Sequence, residues 1–317
     1  MARPRLVTIE ICVQTMTGYP ETVALARWCE AAGVPALAVA DHYLSGFDTE
    51  SAAYDQLVIL GGIARETTTL ELSTLVSPLT FRHPAVHLKA AVTLDAMSGG
   101  RFTLGIGAGW MELEHESFGL ELPPIQERFD RLEENLGYLQ AALDGSGTGF
   151  QGRYYRLAAF TPHPRPANLR IVVGGGGKRR TPELAGRFAH EYNAFPDPVP
   201  MGPRVQRCLE TAQAAGRDPS SLLLSTAFPT AVAADAEAAD MMIERRAKRM
   251  KVDPGEAAAS LDRYGIPRGT PDQAAARYAA IAEAGITRVY LQLSGAHPDD
   301  IERAVAAARQ AAAIAAA

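Results

Sequence analysis

The sequence predicts an α/β fold, a (β/α)8 TIM barrel built from the whole chain. Three observations predict it. Short apolar runs alternate with helix-period segments from one end to the other. Those runs are continuously apolar, as strands covered on both faces are. The length of 317 residues suits a barrel that stays one domain, residues 1–317, with insertions. Periodicity does not by itself show closure, so an open doubly wound sheet is the alternative.

The elements follow in order. Residues 6–12 read as the first strand and 21–32 as an amphipathic helix stopped by Gly33. Residues 36–40 are a fully apolar strand running into Asp41 and His42, and 51–65 are helical. Residues 70–77 form a strand that stops at Pro78. A helix starts at His83, with Pro84 suited to its first turn, and Gly99 and Gly100 end it. Residues 101–106 are a strand opening onto Gly105, Gly107, Gly109 and Trp110. Phe129, Leu132, Leu136, Leu139 and Leu143 mark one buried face of a helix over 126–143. Beyond it come a strand at 170–173, a glycine run with a helix to Ala189, a weak strand at 192–195 and a helix at 204–215. Residues 222–232 are strand-like, with Pro229 as a break. Helices at 236–250 and 271–284, a strand at 287–293 and a helix at 299–316 complete the series. Two insertion-like stretches, 144–168 and 251–270, exceed ordinary loop lengths.

The net charge of −5 gives no electrostatic reason for a nucleic-acid or anionic-membrane partner. The basic run of Arg245, Arg246, Lys248 and Arg249 reads as one solvated helix face. Cys12, Cys29 and Cys208 lack metal-ligand spacing and read as buried free thiols. The N-terminus lacks the apolar core of a signal peptide, and no apolar run reaches the ~20 residues of a membrane helix. A cytoplasmic protein acting on a small molecule is expected.

In a barrel the chemistry gathers at the C-terminal strand ends. That rule selects Asp41, His42, Ser73 to Ser77, Gly107 to Trp110, Gly174 to Lys178, Asn193 and Gln292. His42 is the catalytic candidate, because an imidazole exchanges protons near neutral pH. Adjacent residues on a strand point to opposite sides, so Asp41 and His42 share one pocket only if the strand has already turned. Gly174, Gly175, Gly176 and Gly177 follow a strand and open a helix, where backbone N–H groups can wrap a phosphate. Lys178, Arg179 and Arg180 add positive charge. A tight turn is the alternative, and the spacing is neither a dinucleotide fingerprint nor a P-loop.

Several segments, in this order and spacing, resemble the bacterial luciferase-like superfamily of flavin- and F420-dependent oxidoreductases, especially its deazaflavin branch. They are Ala40-Asp41-His42, Ser73 to Pro78, Phe81-Arg82-His83-Pro84, Thr93-Leu94-Asp95, Ser98-Gly99-Gly100-Arg101, Gly105 to Trp110, Val172 to Lys178 and Ala189 to Asn193. The resemblance implies coenzyme F420 as cofactor, with FMN as the alternative. It places Asp41 and His42 beside the tricyclic ring. It places a non-proline cis peptide between Thr74 and Leu75 under that ring, and the cofactor phosphate at Gly174 to Gly177. Thr74, Leu75, Ser77 and Gly107 are thereby cofactor-binding candidates. A homodimer is compatible with the family, although no interface is legible.

The departures matter too. The sugar-phosphate dehydrogenases of this branch carry a glutamate where Trp110 stands, and an asparagine two to three residues further on, near Leu113. Trp110 cannot act as an acid, so glucose-6-phosphate oxidation is disfavoured and Trp110 reads as an apolar substrate wall or as packing. The expected function is hydride transfer between a deazaflavin and a small organic substrate. An FMN-dependent monooxygenase is the alternative, and a non-catalytic cofactor-binding member comes third. Aldolase or metal-hydrolase chemistry is not indicated. None of Lys89, Lys178, Lys248 and Lys251 lies within a barrel strand, and no histidine pair ends one at metal-ligand spacing.

Overall fold

The computed structural model describes residues 8–44, 53–161, 163–196, 201–293 and 298–317. Eight parallel strands form the barrel: β1 (Glu10–Thr15), β2 (Ala36–Val39), β3 (Glu71–Thr74), β4 (Phe102–Gly107), β5 (Arg170–Gly175), β6 (Glu191–Ala194), β7 (Leu223–Pro229) and β8 (Arg288–Gln292). Each pairs with the next in chain order. The ladder that closes the ring joins β1 to β8, from Glu10 opposite Arg288 to Gln14 opposite Gln292. The sheet is therefore closed and not doubly wound.

Outside it lie α1 (Tyr19–Ala31), α2 (Gln56–Glu66), α3 (Pro84–Ser98), α4 (Glu112–Phe118), α5 (Ile125–Leu143), α6 (Arg180–Phe188), α7 (Met201–Ala214), α8 (Ala236–Met250), α9 (Pro254–Arg263), α10 (Pro271–Glu283) and α11 (Pro298–Ala316). Among the described residues no helix is long and apolar enough to cross a membrane.

The side-chain period of two sorts each strand into two cores. Ile11, Val13, Leu37 and Val39 face the helices and join the large outer core. Cys12, Ala36, Ala38, Leu75, Val172, Ala227 and Tyr290 form the inner one. An eight-stranded ring is only just wide enough for side chains. Small residues therefore line it, leaving room for Tyr290 and for Arg288 at the N-terminal end. There Arg288 donates to Glu10 and Glu71 at 2.8 Å each.

Two of the family-like segments do structural work. Arg101 donates to the carbonyls of Ala64, Thr67, Leu70 and Ser98, tying the end of α2 to β3 and α3. The carboxylate of buried Asp95 accepts from the backbone N–H groups of Ala167 and Asn168 at 2.5 and 3.3 Å. That bond pins the far end of the 144–168 insertion, which carries a small hairpin of Phe150–Gln151 and Arg156–Leu157.

Several sequence expectations need correction. The first strand is β1, not 6–12, and residues 1–7 lie outside those described. Residues 251–270 are not a loop. Asp253 caps α9 there, Pro254 fits its first turn, and Ala257 and Leu261 are buried. The strand expected over 70–77 ends at Thr74 and resumes as Ser77–Pro78 beside β4. The 222–232 strand breaks after Pro229, as expected. Ala231–Val232 leaves the barrel to pair with Arg268–Gly269. Helix α2 begins only at Gln56, capped by Asp55, and residues 51–52 lie outside those described. The three cysteines are buried and free.

Candidate active site

Asp41 and His42 leave β2 in different directions. The backbone turns at once, with the His42 N–H donating to the Ala40 carbonyl. The His42 imidazole remains partly accessible, its side chain 18% exposed. Its Nδ1 lies 3.0 and 3.1 Å from the two carboxylate oxygens of Glu114. One of those oxygens also accepts the backbone N–H groups of Tyr43 and Leu44, at 2.7 and 3.0 Å. Glu114 is buried on α4, its side chain 1% exposed. Burial pushes its pKa up, but the hydrogen bond and charge of His42 and the two N–H groups outweigh that and hold it below the usual carboxylate value. Nδ1 is thus engaged, and Nε2 is the ring atom left for a reactant. The Trp110 indole lies edge-on to the imidazole, centroids 5.9 Å apart at 78°, and is 58% exposed.

Asp41 is fully buried. It accepts from Ser77 Oγ and from Arg82 Nη1, both at 2.5 Å. Arg82 also reaches Asp55 at 2.6 Å. Since the Ser77 hydroxyl donates to Asp41, it accepts from His87 Nε2 at 2.9 Å. Burial pushes the His87 imidazole down to about 3, with the charge of Arg82 adding to it, so the ring stays neutral. Thr74 is equally hidden, its hydroxyl exchanging hydrogen bonds with the backbone of Gly105 at 3.0 and 2.8 Å. Asp41, Thr74 and Ser77, expected to touch a cofactor, have no exposed surface. Their side chains are held by the protein's own groups.

Beside these residues the backbone is tightly packed around Val76. A non-proline cis peptide joins Leu75 to Val76, one residue beyond the Thr74–Leu75 bond expected from the family. Thr74 is still held in the β3 ladder opposite Val39, so the chain leaves the strand only afterwards. The Leu75 carbonyl accepts from Gln14 Nε2, and Gln14 accepts from Gln292 at 2.8 Å. Around Val76 only glycine fits. A Cβ at Gly107 would meet a Val76 methyl at 2.7 Å, and one at Gly174 would meet the other at 2.9 Å. At Gly105 it would collide with the Thr74 carbonyl.

Gly175 ends β5, Gly176 and Gly177 follow it, and α6 starts at Arg180. A Cβ at Gly177 would strike the Thr181 hydroxyl. The expected positive charge is partly committed. Arg180 pairs with Asp130 and Glu133, and Arg179 with Glu183. Lys178 is exposed and makes no ion pair among the described residues. Two surface cavities of about 280 and 310 Å³ share no residue with this site. Among the described residues no cluster of three His, Cys, Asp or Glu side chains is placed to hold a metal ion.

Sequence reasoning missed Glu114 and Arg82 as site residues. Arg82 enters the sequence reading only as part of a family-like segment. Glu114 lies in a run with Glu112 and Glu116, and nothing in the sequence shows that it alone of the three is buried.

A barrel whose C-terminal strand ends gather an imidazole, close-packed glycines and a glycine-rich strand-to-helix turn defines a class of barrel oxidoreductases. The model of the luciferase-like monooxygenase family matches residues 6–288, and the chain belongs to that family. It is 34% identical over 177 residues to an F420-dependent glucose-6-phosphate dehydrogenase of Nakamurella multipartita, covering 55% of this chain and 52% of that protein. A second such dehydrogenase, from Kineococcus radiotolerans, is 29% identical over 273 residues, 74% of this chain and 80% of its own. The pyrimidine monooxygenase RutA of Cronobacter sakazakii is 27% identical over 192 residues, 57% of this chain and 56% of that protein. The chain thus spans about half the length of most of these relatives. An F420-dependent secondary alcohol dehydrogenase, solved with an F420–acetone adduct, shares the fold with a TM-score of 0.77 at 20% identity, covering 96% of this chain and 99% of that one.

Proposed function

We propose that the protein is an F420-dependent oxidoreductase that transfers a hydride between the deazaflavin and a small organic substrate. The single observation that carries this is His42 at the C-terminal end of β2, its Nδ1 held by buried Glu114 and its ring beside the exposed Trp110 indole. Gly107 and Gly174 let Val76 pack closely against the C-terminal ends of β4 and β5, since a Cβ at either would strike a Val76 methyl. Relatives named as F420-dependent favour a deazaflavin. The FMN reading is kept because RutA, named a monooxygenase, aligns with more than half of the chain.

Bound there, a deazaflavin supplies or accepts a hydride at its central carbon and, unlike a flavin, favours two-electron chemistry. The chain's own residues do the rest. Leu75, Val76, Gly107 and Gly174 support the ring. Gly175, Gly176 and Gly177, with the N-terminal end of α6, hold the phosphate. His42 Nε2 gives or takes the proton that accompanies the hydride, and Glu114 fixes its orientation. Trp110 walls the substrate side with an apolar face. A phosphorylated sugar is not the proposed substrate, because Trp110 offers no acid.

The test follows reduced F420 oxidation with a panel of enones, imines and ketones. His42→Ala should lower turnover on the order of 10²-fold while cofactor affinity changes little. An unchanged rate in His42→Ala and His42→Gln would reduce His42 to a structural residue.

A further inference from the structure

Three polar side chains inside the barrel have no part in the chemistry above. Glu191, Asn193 and Ser225 are all buried, and they form one hydrogen-bonded chain. Ser225 Oγ donates to Glu191 Oε1 at 2.5 Å, and Asn193 Nδ2 donates to Ser225 Oγ at 2.8 Å. The pairing of β6 with β5 and β7 puts Asn193 beside Gly174 and Ser225. A serine hydroxyl has one proton. With that proton given to Glu191, Ser225 can only accept from the amide, so the NH2 end of Asn193 is committed and Oδ1 is turned the other way. Among the described residues no protein donor reaches Oδ1, and since it is not one of the buried unpartnered atoms it is open to a ligand.

Oδ1 belongs to the last residue but one of β6, at the open end of the barrel. A Cβ at Gly174 would lie 3.3 Å from the Asn193 Cβ and 2.9 Å from a Val76 methyl. Asn193, Gly174 and Val76 therefore border one patch. An acceptor lacking a donor at the open end of the barrel calls for a ligand N–H. The oxidised deazaflavin and flavin rings both carry one imide N–H between two carbonyls.

We propose that Asn193 orients the bound ring by accepting its imide N–H through Oδ1, and that Ser225 and Glu191 are positioning residues that fix the amide. This rests on the cofactor assignment above. It deepens that assignment by saying which edge of the ring faces β6, and hence which of its atoms is turned towards His42.

The test compares oxidised F420 with its N3-methyl analogue, and FMN with N3-methyl FMN, by fluorescence titration of the whole protein. Wild type should bind the methylated ring about tenfold more weakly than the parent, the size of one lost hydrogen bond with its acceptor left unpaired. Asn193→Ala should bind the two with equal affinity. Ser225→Ala, the milder change, should fall between them, because its amide is free to turn. It carries the test if Asn193→Ala does not fold. Equal binding of both rings by wild type overturns the proposal, and so does a methyl penalty undiminished in the variants. Absence of binding by F420 and FMN alike overturns the cofactor assignment and this inference together, whereas binding without discrimination overturns this inference alone.

Discussion

Glu114, on a seven-residue helix, holds His42 by Nδ1 at 3.0 Å across 72 residues of sequence. The same carboxylate accepts the N–H groups of the two residues after His42. One buried charge therefore fixes both the imidazole and the loop that carries it.

Replacing Glu114 with glutamine keeps the size and an acceptor for the backbone but removes the charge. Turnover should fall about 10- to 100-fold, with KM and cofactor affinity within about threefold of wild type. Stopped-flow oxidation of reduced F420 with the best substrate of the panel separates the two. An equal loss in affinity would mean that Glu114 only holds the loop.

Arg82 and Asp41 form a buried pair, their side chains 8% and 0% exposed. Arg82→Ala strands the Asp41 carboxylate and should cost about 3–5 kcal/mol of stability in urea denaturation. Adding Asp41→Asn to that variant should recover part of the loss, because the stranded group is then neutral. A double variant no more stable than Arg82→Ala would place the cost in packing.

The barrel was legible because apolar strand runs such as Ala36–Val39 alternate with helices that carry clear stop signals at Gly33 and Gly99. Closure was not, since only the pairing of Glu10 to Gln14 with Arg288 to Gln292 establishes it. The strand-end rule nominated His42, Gly107, Gly174 and Asn193, all of which lie at the C-terminal ends of the barrel strands. It also nominated Asp41, Thr74 and Ser77, whose complete burial is not readable from the strand pattern. The Asp41–Ser77–Arg82–His87 network could not be read from spacing. It joins residues from a strand end, a loop and a helix whose only shared property is burial.

His87 gives a pH signature. The folded chain keeps it neutral down to about pH 3, while the unfolded chain protonates it near its ordinary value of 6.5. Its folded pKa is depressed, so its contribution is complete above pH 6.5 and is lost as the pH falls from 6.5 towards 3. The slope is at most about 1.4 kcal/mol per pH unit. His87→Gln keeps a donor for Ser77 and should flatten the fall in stability between pH 6.5 and 4. Denaturant titrations at pH 7, 6, 5 and 4 check it. Parallel curves for the two proteins would show that His87 is not the group responsible.

The most direct measurement is an equilibrium titration of the purified protein with F420 and, separately, with FMN, repeated on Gly176→Asp. The account predicts that F420 binds more tightly than FMN, and that Gly176→Asp weakens binding at least tenfold while the fold persists, because a carboxylate then faces the phosphate. Micromolar or tighter FMN binding with no detectable F420 binding would contradict the deazaflavin assignment. Wild-type affinity in Gly176→Asp would place the phosphate elsewhere.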